Sequence, residues 1–143
     1  MKKLPEGQTP PEVAELIKDI IQDKVVCDVG CGGGSFMVAL KKYARKVVGI
    51  EENEDWANIA VEKGFDIWVE NAFSFPLPQA DVYYLWSKDS LGIYLTAKWE
   101  GTKGIFIFGK TARPPLKKLL ESIPVEVRSL KEDPEWKVYI TKL

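Results

Sequence analysis

Residues 27–36 read CDVGCGGGSF, so four of the five positions from 30 to 34 are glycine, directly behind Asp28 and an apolar β-branched run. Each glycine costs conformational entropy on folding, so such a cluster calls for a chemical reason. Backbone without Cβ atoms makes a tight turn and lets a ligand approach bare N–H groups where a strand ends and a helix begins. The spacing narrows the ligand. The dinucleotide fingerprint G-x-G-x-x-G fails, because Ser35 stands at the third glycine's place, and no G-x-x-x-x-G-K-[ST] occurs anywhere. The pattern present is D-x-G-x-G-x-G, built from Asp28, Gly30, Gly32 and Gly34.

Other chemistries are excluded by composition. The chain has no histidine, which removes any histidine base or histidine-containing triad. Cys27 and Cys31 are the only cysteines, and their spacing fits neither a zinc site nor a redox pair, so no metal is expected.

The glycines need a framework, and the surrounding sequence predicts one. QTPPEVAELIKDIIQD (8–23) opens with a Thr9/Glu12 capping box and Pro10 at the first helical position, followed by an apolar stripe of Val13, Leu16, Ile17 and Ile20. KVVCDV and KVVGIE read as buried strands and FDIWVE as a third strand, alternating with helices over 35–44 and from Asn53 to Lys63, with Asn53 as cap and Gly64 just past the end. NAFSFPLPQA (71–80) is too short and proline-rich for a crossover helix; it reads as an extended link pinned by Phe73, Phe75 and Leu77. For the sheet order 3-2-1-4 it must cross roughly 24 Å, within the reach of ten residues. ADVYYLW and GIFIFG are further strands, separated by a helix over 89–101 and followed by another in ARPPLKKLLESI. The end of the chain, with alternating Val125/Val127 and Trp136/Val138/Ile140 around EDPE, reads as an antiparallel hairpin. Apolar strands alternating with helices give an α/β class: a doubly wound, mostly parallel seven-stranded sheet with helices on both faces and a C-terminal antiparallel hairpin. At 143 residues the chain is read as one domain, 1–143, with 1–23 as N-terminal segment and helix.

CDVGCGGGSF followed by VVGIEEN resembles the loop and second-strand motifs of the class I S-adenosylmethionine (SAM) dependent methyltransferases. The likeness runs over nearly the whole chain. It implies SAM as cofactor, with Asp28 near its methionine part and the backbone from Gly30 through Cys31 and Gly32 to Gly34 around its carboxylate and ribose edge. Glu51 matches the acid that accepts both ribose hydroxyls; a carboxylate only accepts hydrogen bonds and so suits a vicinal diol. Glu52 reads as an exposed acid at a helix start. Asn71 takes a place where the family often has aspartate against adenine, with Ala72 and Phe73 flanking the ring.

The resemblance puts the methyl acceptor beyond the fourth strand, in YYLWSKDSLGIY. The [DN]-P-P-[YF] sequence of many amino-methylating relatives is replaced by Leu85-Trp86-Ser87-Lys88, which argues against a base-amine methylase of that type. Trp86, Ser87 and Asp89 are the acceptor-side candidates: Trp86 for a cation–π wall, Ser87 or Asp89 as hydrogen-bond acceptors. A core tryptophan and a helix cap explain them equally well. TPPEVAELI, DVGCGGG and VVGIE are also similar to the short archaeal protein-lysine methyltransferases, which implies a lid from Pro5 to Pro10 and a protein lysine amine as acceptor. A small-molecule or RNA methyltransferase and a non-catalytic SAM-binding partner module are the alternatives.

Twenty basic and twenty-one acidic residues leave a net charge of −1, so nucleic-acid binding is not indicated by overall charge. Lys41-Lys42, Arg45-Lys46 and Lys117-Lys118 read as solvated helix faces. No apolar run is long enough to span a membrane and no leader follows the N-terminal lysines, so a cytoplasmic location is expected. Six Asn plus Gln residues beside many Lys and Glu point to a thermophilic source.

Overall fold

A computed structural model describes residues 9–109 and 114–143. Its first elements are two short helices, α1 (Glu12–Leu16) and α2 (Lys18–Ile21). Strand β1 (Val25–Val29), helix α3 (Ser35–Lys41), strand β2 (Lys46–Ile50), helix α4 (Glu54–Glu62) and strand β3 (Asp66–Trp68) follow. Beyond the link come β4 (Val82–Leu85), α5 (Ser90–Trp99), β5 (Ile105–Phe108), α6 (Pro114–Ser122), β6 (Glu126–Ser129) and β7 (Lys137–Lys142).

The seven strands form one sheet in the order β3-β2-β1-β4-β5-β7-β6. The first five are parallel, and β7 runs antiparallel between β5 and β6, so the closing hairpin inserts its last strand beside the fifth. The reversal of strand order between β1 and β4 opens a crevice at their carboxyl ends.

Alternation along the strands divides the core in two. Val26 and Tyr84 join Val13, Ile17, Phe36, Met37 and Leu40 on the face covered by α1, α2 and α3. Cys27, Val29, Tyr83 and Leu85 join Ile93, Tyr94, Leu116 and Leu120 on the face covered by α5 and α6. The link replaces a helix on that second face. Leu77 is buried and Phe75 half-buried there, and the Tyr83 hydroxyl donates to the Pro78 carbonyl at 2.7 Å while accepting from Ala80 N at 3.2 Å. Phe73, expected to pin the link, is 45% exposed and instead lays its ring edge over Gly92 of α5.

Three local expectations need correction. Helix 8–23 is two helices broken at Ile17, whose φ of −112° and ψ of 13° leave the helical region. Arg128 of β6 donates there to the Leu16 carbonyl at 3.0 Å and pairs with Asp19, satisfying the interrupted turn from outside. The Thr9/Glu12 capping box does not form. Pro11, rather than Thr9, holds the N-cap position, and the Thr9 hydroxyl is buried against the Tyr84 hydroxyl at 3.0 Å. Asn53 does cap α4, accepting from Trp56 N at 3.0 Å, and Gly64 follows with φ 95°. Strand β3 stops at Trp68, two residues short of FDIWVE.

Candidate functional site

The glycine loop leaves β1 at the crevice. Gly30 N and Cys31 N both donate to the Ile50 carbonyl of β2, at 2.9 and 3.0 Å, which fastens the loop to the neighbouring strand. Gly30, Gly32 and Gly34 take φ values of 78°, 57° and 85°, a region costly for residues with a Cβ. At Gly30 a Cβ would meet nothing within 4 Å, so that stretch of backbone is bare; at Gly34 it would lie 3.0 Å from the Ala60 Cβ. Gly34 thus serves two ends: it turns the chain into α3 and lets α4 close against the loop.

Glu51 stands at the carboxyl end of β2 with its carboxylate drawn into this loop. Its Oε1 accepts from Gly32 N at 2.8 Å and its Oε2 from Asn53 N at 2.9 Å. Each carboxylate oxygen has two acceptor positions, so one on each remains for a ligand. Glu52 is exposed and accepts from Asn71 Nδ2 at 3.3 Å. The opposite face of Asn71 closes a turn, with Oδ1 accepting from Phe73 N at 2.8 Å. Asn71 is therefore held on Glu52, and Phe73 on Asn71, by hydrogen bonds, with one lone pair of Asn71 Oδ1 left over.

Asp28 is 4% exposed, in register between Gly49 of β2 and Tyr84 of β4. Burial, with the Glu51 charge adding, pushes its carboxyl up to about 7. The same desolvation holds the Cys27 and Cys31 thiols protonated and well above their ordinary range. The Cys31 Sγ turns inward, so near Gly49 that a Cβ there would lie 2.6 Å from it.

The acceptor candidates separate. Trp86 alternates onto the α1–α3 face and packs edge-on against Trp136, ring centroids 5.0 Å apart, so it is a core contact. Ser87 and Asp89 lie instead on a cavity of about 310 Å³, shared with Phe73 and the first turns of α5 and α6. Asp89 occupies the N-cap of α5 without capping it. The turn is held by Ser90 Oγ, which accepts from Ser87 N and donates to the Ser87 carbonyl, and by Ser87 Oγ, which accepts from Asp89 N.

Lys63 is a residue the sequence did not flag. Its Nζ donates to the Gly33 carbonyl at 2.7 Å, bracing the loop from the end of α4. A lysine thirty residues away carries no local signal of such a role. Among the described residues no cluster of His, Cys, Asp and Glu fits a metal ion, and no helix is long and apolar enough to cross a membrane.

The fold is the seven-stranded one of the class I SAM-dependent methyltransferases. An RNA methyltransferase from Salinibacter ruber, in complex with S-adenosyl-L-homocysteine, superposes with a TM-score of 0.73 at 17% identity, over 94% of this chain and 92% of that one. A SAM-dependent O-methyltransferase from Thermotoga maritima gives 0.70 at 20% identity, over 97% and 68%. A ribosomal protein L11 methylase from Lactobacillus delbrueckii subsp. bulgaricus gives 0.68 at 17% identity, over 97% and 83%. No protein-family model and no curated protein matches the sequence.

Proposed function

We propose that the chain is a SAM-dependent methyltransferase. The observation that carries the reading is Glu51: a carboxylate held at both oxygens by backbone N–H groups of the glycine loop and the α4 start, with two acceptor positions left for a vicinal diol. The other residues fit the same cofactor. The Gly30 backbone, open where a Cβ would stand, suits close approach of the cofactor; Asp28 is assigned to its methionine end, and Asn71, held on Glu52, is assigned with Ala72 and Phe73 to the adenine ring that would follow a ribose on Glu51. SAM brings an already activated methyl group, so the chain's task is to bind it and to set a nucleophile in line with it. That division of labour agrees with a site lacking histidine.

Similar folds act on RNA, on oxygen acceptors and on a ribosomal protein by the names of their holders, so the fold leaves the acceptor open, and nothing in it favours a protein lysine. A lid made by the N-terminal segment stays part of the proposal: Thr9 is anchored on Tyr84 of β4, while residues 1–8 lie outside the described residues. A single domain in the cytoplasm, from a thermophile, completes the reading. The test is calorimetric titration with SAM and with NAD. Micromolar SAM binding without NAD binding supports the reading, and labelled SAM with lysate fractions would then reveal the acceptor class. Absence of SAM binding removes the enzyme reading and leaves the fold.

A further inference from the structure

The cavity at the carboxyl end of β4 has a composition that specifies its occupant. About 310 Å³ in volume, it is walled by Phe73, Leu91, Pro115 and Leu116, and Lys88 and Asp89 stand on its margin. That volume is at the small end for a ligand site and admits one or two fused rings. Gly92 makes the wall flat: with no Cβ, it lets the Phe73 ring lie against α5, where a Cβ would sit 3.0 Å from Cε1. An aromatic ring 45% exposed beside aliphatic walls is a stacking surface.

The polar margin adds direction. Asp89 holds the N-cap position, yet the two serines on either side satisfy the turn, and its carboxylate makes no hydrogen bond among the described residues. An unengaged carboxylate accepts from N–H groups; the Lys88 ammonium donates to a ring nitrogen or carbonyl. A linear alkylamine offers no flat face to Phe73 and no acceptor to Lys88.

Resting on the methyltransferase reading, we propose that this cavity is the acceptor site and takes a flat nitrogen heterocycle, a nucleobase or a compound of that size, with an edge N–H on Asp89 and an edge acceptor toward Lys88. The cavity is contiguous with the proposed cofactor site through Phe73, which belongs to both. Methylation of such a ligand forms one N–C bond with the nitrogen lone pair, leaves the C–S electron pair on the donor's sulfur, and releases the nitrogen's proton to solvent by way of the carboxylate.

Ligand-observed NMR with adenine and cytosine, n-butylamine as control, tests the site in the presence of saturating S-adenosylhomocysteine and again without it. A base should bind with the product present, and Asp89→Asn should weaken it about tenfold, as loss of a charged acceptor implies. The SAM dissociation constant of the variant should stay unchanged. Asp89 is exposed and its carboxylate makes no hydrogen bond among the described residues, so the variant folds as the parent does. Displacement of the bases by S-adenosylhomocysteine would make the cavity the cofactor's own adenine slot and overturn the proposal. So would equal binding of butylamine, no base binding at all, or indifference to Asp89→Asn. Labelled SAM then separates the sources: label in free nucleosides or in RNA identifies which carries the ring, and label in protein alone overturns the assignment. Base binding is read without SAM as well, so failure of the cofactor reading is seen separately.

Discussion

Replacing Glu51 with alanine removes the acceptors of two backbone hydrogen bonds, from Gly32 N at 2.8 Å and Asn53 N at 2.9 Å, together with the two acceptor positions facing the crevice. Hydrogen bonds to a charged group contribute about 1.5–3 kcal/mol, so SAM affinity should fall by roughly that amount, or about 12- to 150-fold in Kd. Part of the loss would come from a slackened loop rather than from the missing diol contact. A double-mutant cycle separates the two. Calorimetry with S-adenosylhomocysteine and its 2′-deoxy analogue, each on parent and Glu51→Ala protein, should show the analogue much less sensitive to the substitution. Equal losses for both ligands would mean that Glu51 acts only on the loop, and an unchanged Kd would remove Glu51 from the site altogether. Glutamine is no gentle substitute here. Both carboxylate oxygens face N–H donors, so whichever way the amide turns, its NH₂ meets Gly32 N or Asn53 N, and Glu51→Gln should lose about as much as alanine.

Asp28 gives a pH signature. Its carboxyl is pushed up to about 7 from 3.8, so between those values the native chain keeps a proton that the unfolded chain has lost; stability falls as pH rises through that window and levels off above it. Asp28→Asn should flatten this slope and gain up to about 4 kcal/mol at pH 8, read by urea unfolding at pH 5 and pH 8; parallel profiles for parent and variant would refute it. Gly34→Ala should destabilise by about 1–3 kcal/mol, since a residue at φ 85° would also press its Cβ to 3.0 Å from Ala60; Gly30→Ala, with open space around it, should lose only the backbone part, about 1 kcal/mol. Comparable unfolding midpoints for the two would argue against the close packing of α4 on the loop. Lys63→Met frees the Gly33 carbonyl and should weaken SAM binding by about 0.5–1.5 kcal/mol with a smaller effect on melting, and Lys63→Arg should restore part of it.

The inner parallel strands β1, β2, β4 and β5 were legible because their burial demands continuous apolar runs, and the sheet order followed from the parallel rhythm with a link too short for a helix. Asn53 was legible for a local reason, since its capping partner lies three residues away. The Thr9 cap failed for the opposite one: its hydroxyl is claimed by Tyr84, seventy-five positions on, in a buried setting where neither hydroxyl has water to turn to. The break at Ile17 likewise depends on Arg128, a contact across 112 residues. The pattern D-x-G-x-G-x-G located the loop, but could not show which way Cys31 turns, because that is decided by the absence of a Cβ at Gly49 on the neighbouring strand. Trp86 and Ser87 were placed together as neighbours in sequence, yet beyond the end of β4 Trp86 packs against Trp136 while Ser87 opens on the cavity beside α5.

The short link between β3 and β4 has the widest consequence. A crossover helix in its place would cover the second face beside α5, and Phe73 would be buried beneath it. Ten residues with two prolines cannot make that helix, so the chain ties Leu77 and Phe75 into the core, closes an Asn71 turn, and leaves the Phe73 ring resting on Gly92. Gly92→Ala tests this dependence directly. Its Cβ would lie 3.0 Å from the Phe73 ring edge, and because that ring is exposed it can swing away at a cost of about 1 kcal/mol or less. Helix α5 should therefore be no less stable, alanine being the better helix former, while the flat wall of the cavity is lost. Melting close to that of the parent together with loss of adenine binding would tie ligand selection to the missing helix; retained adenine binding would show that Phe73 plays no part in it.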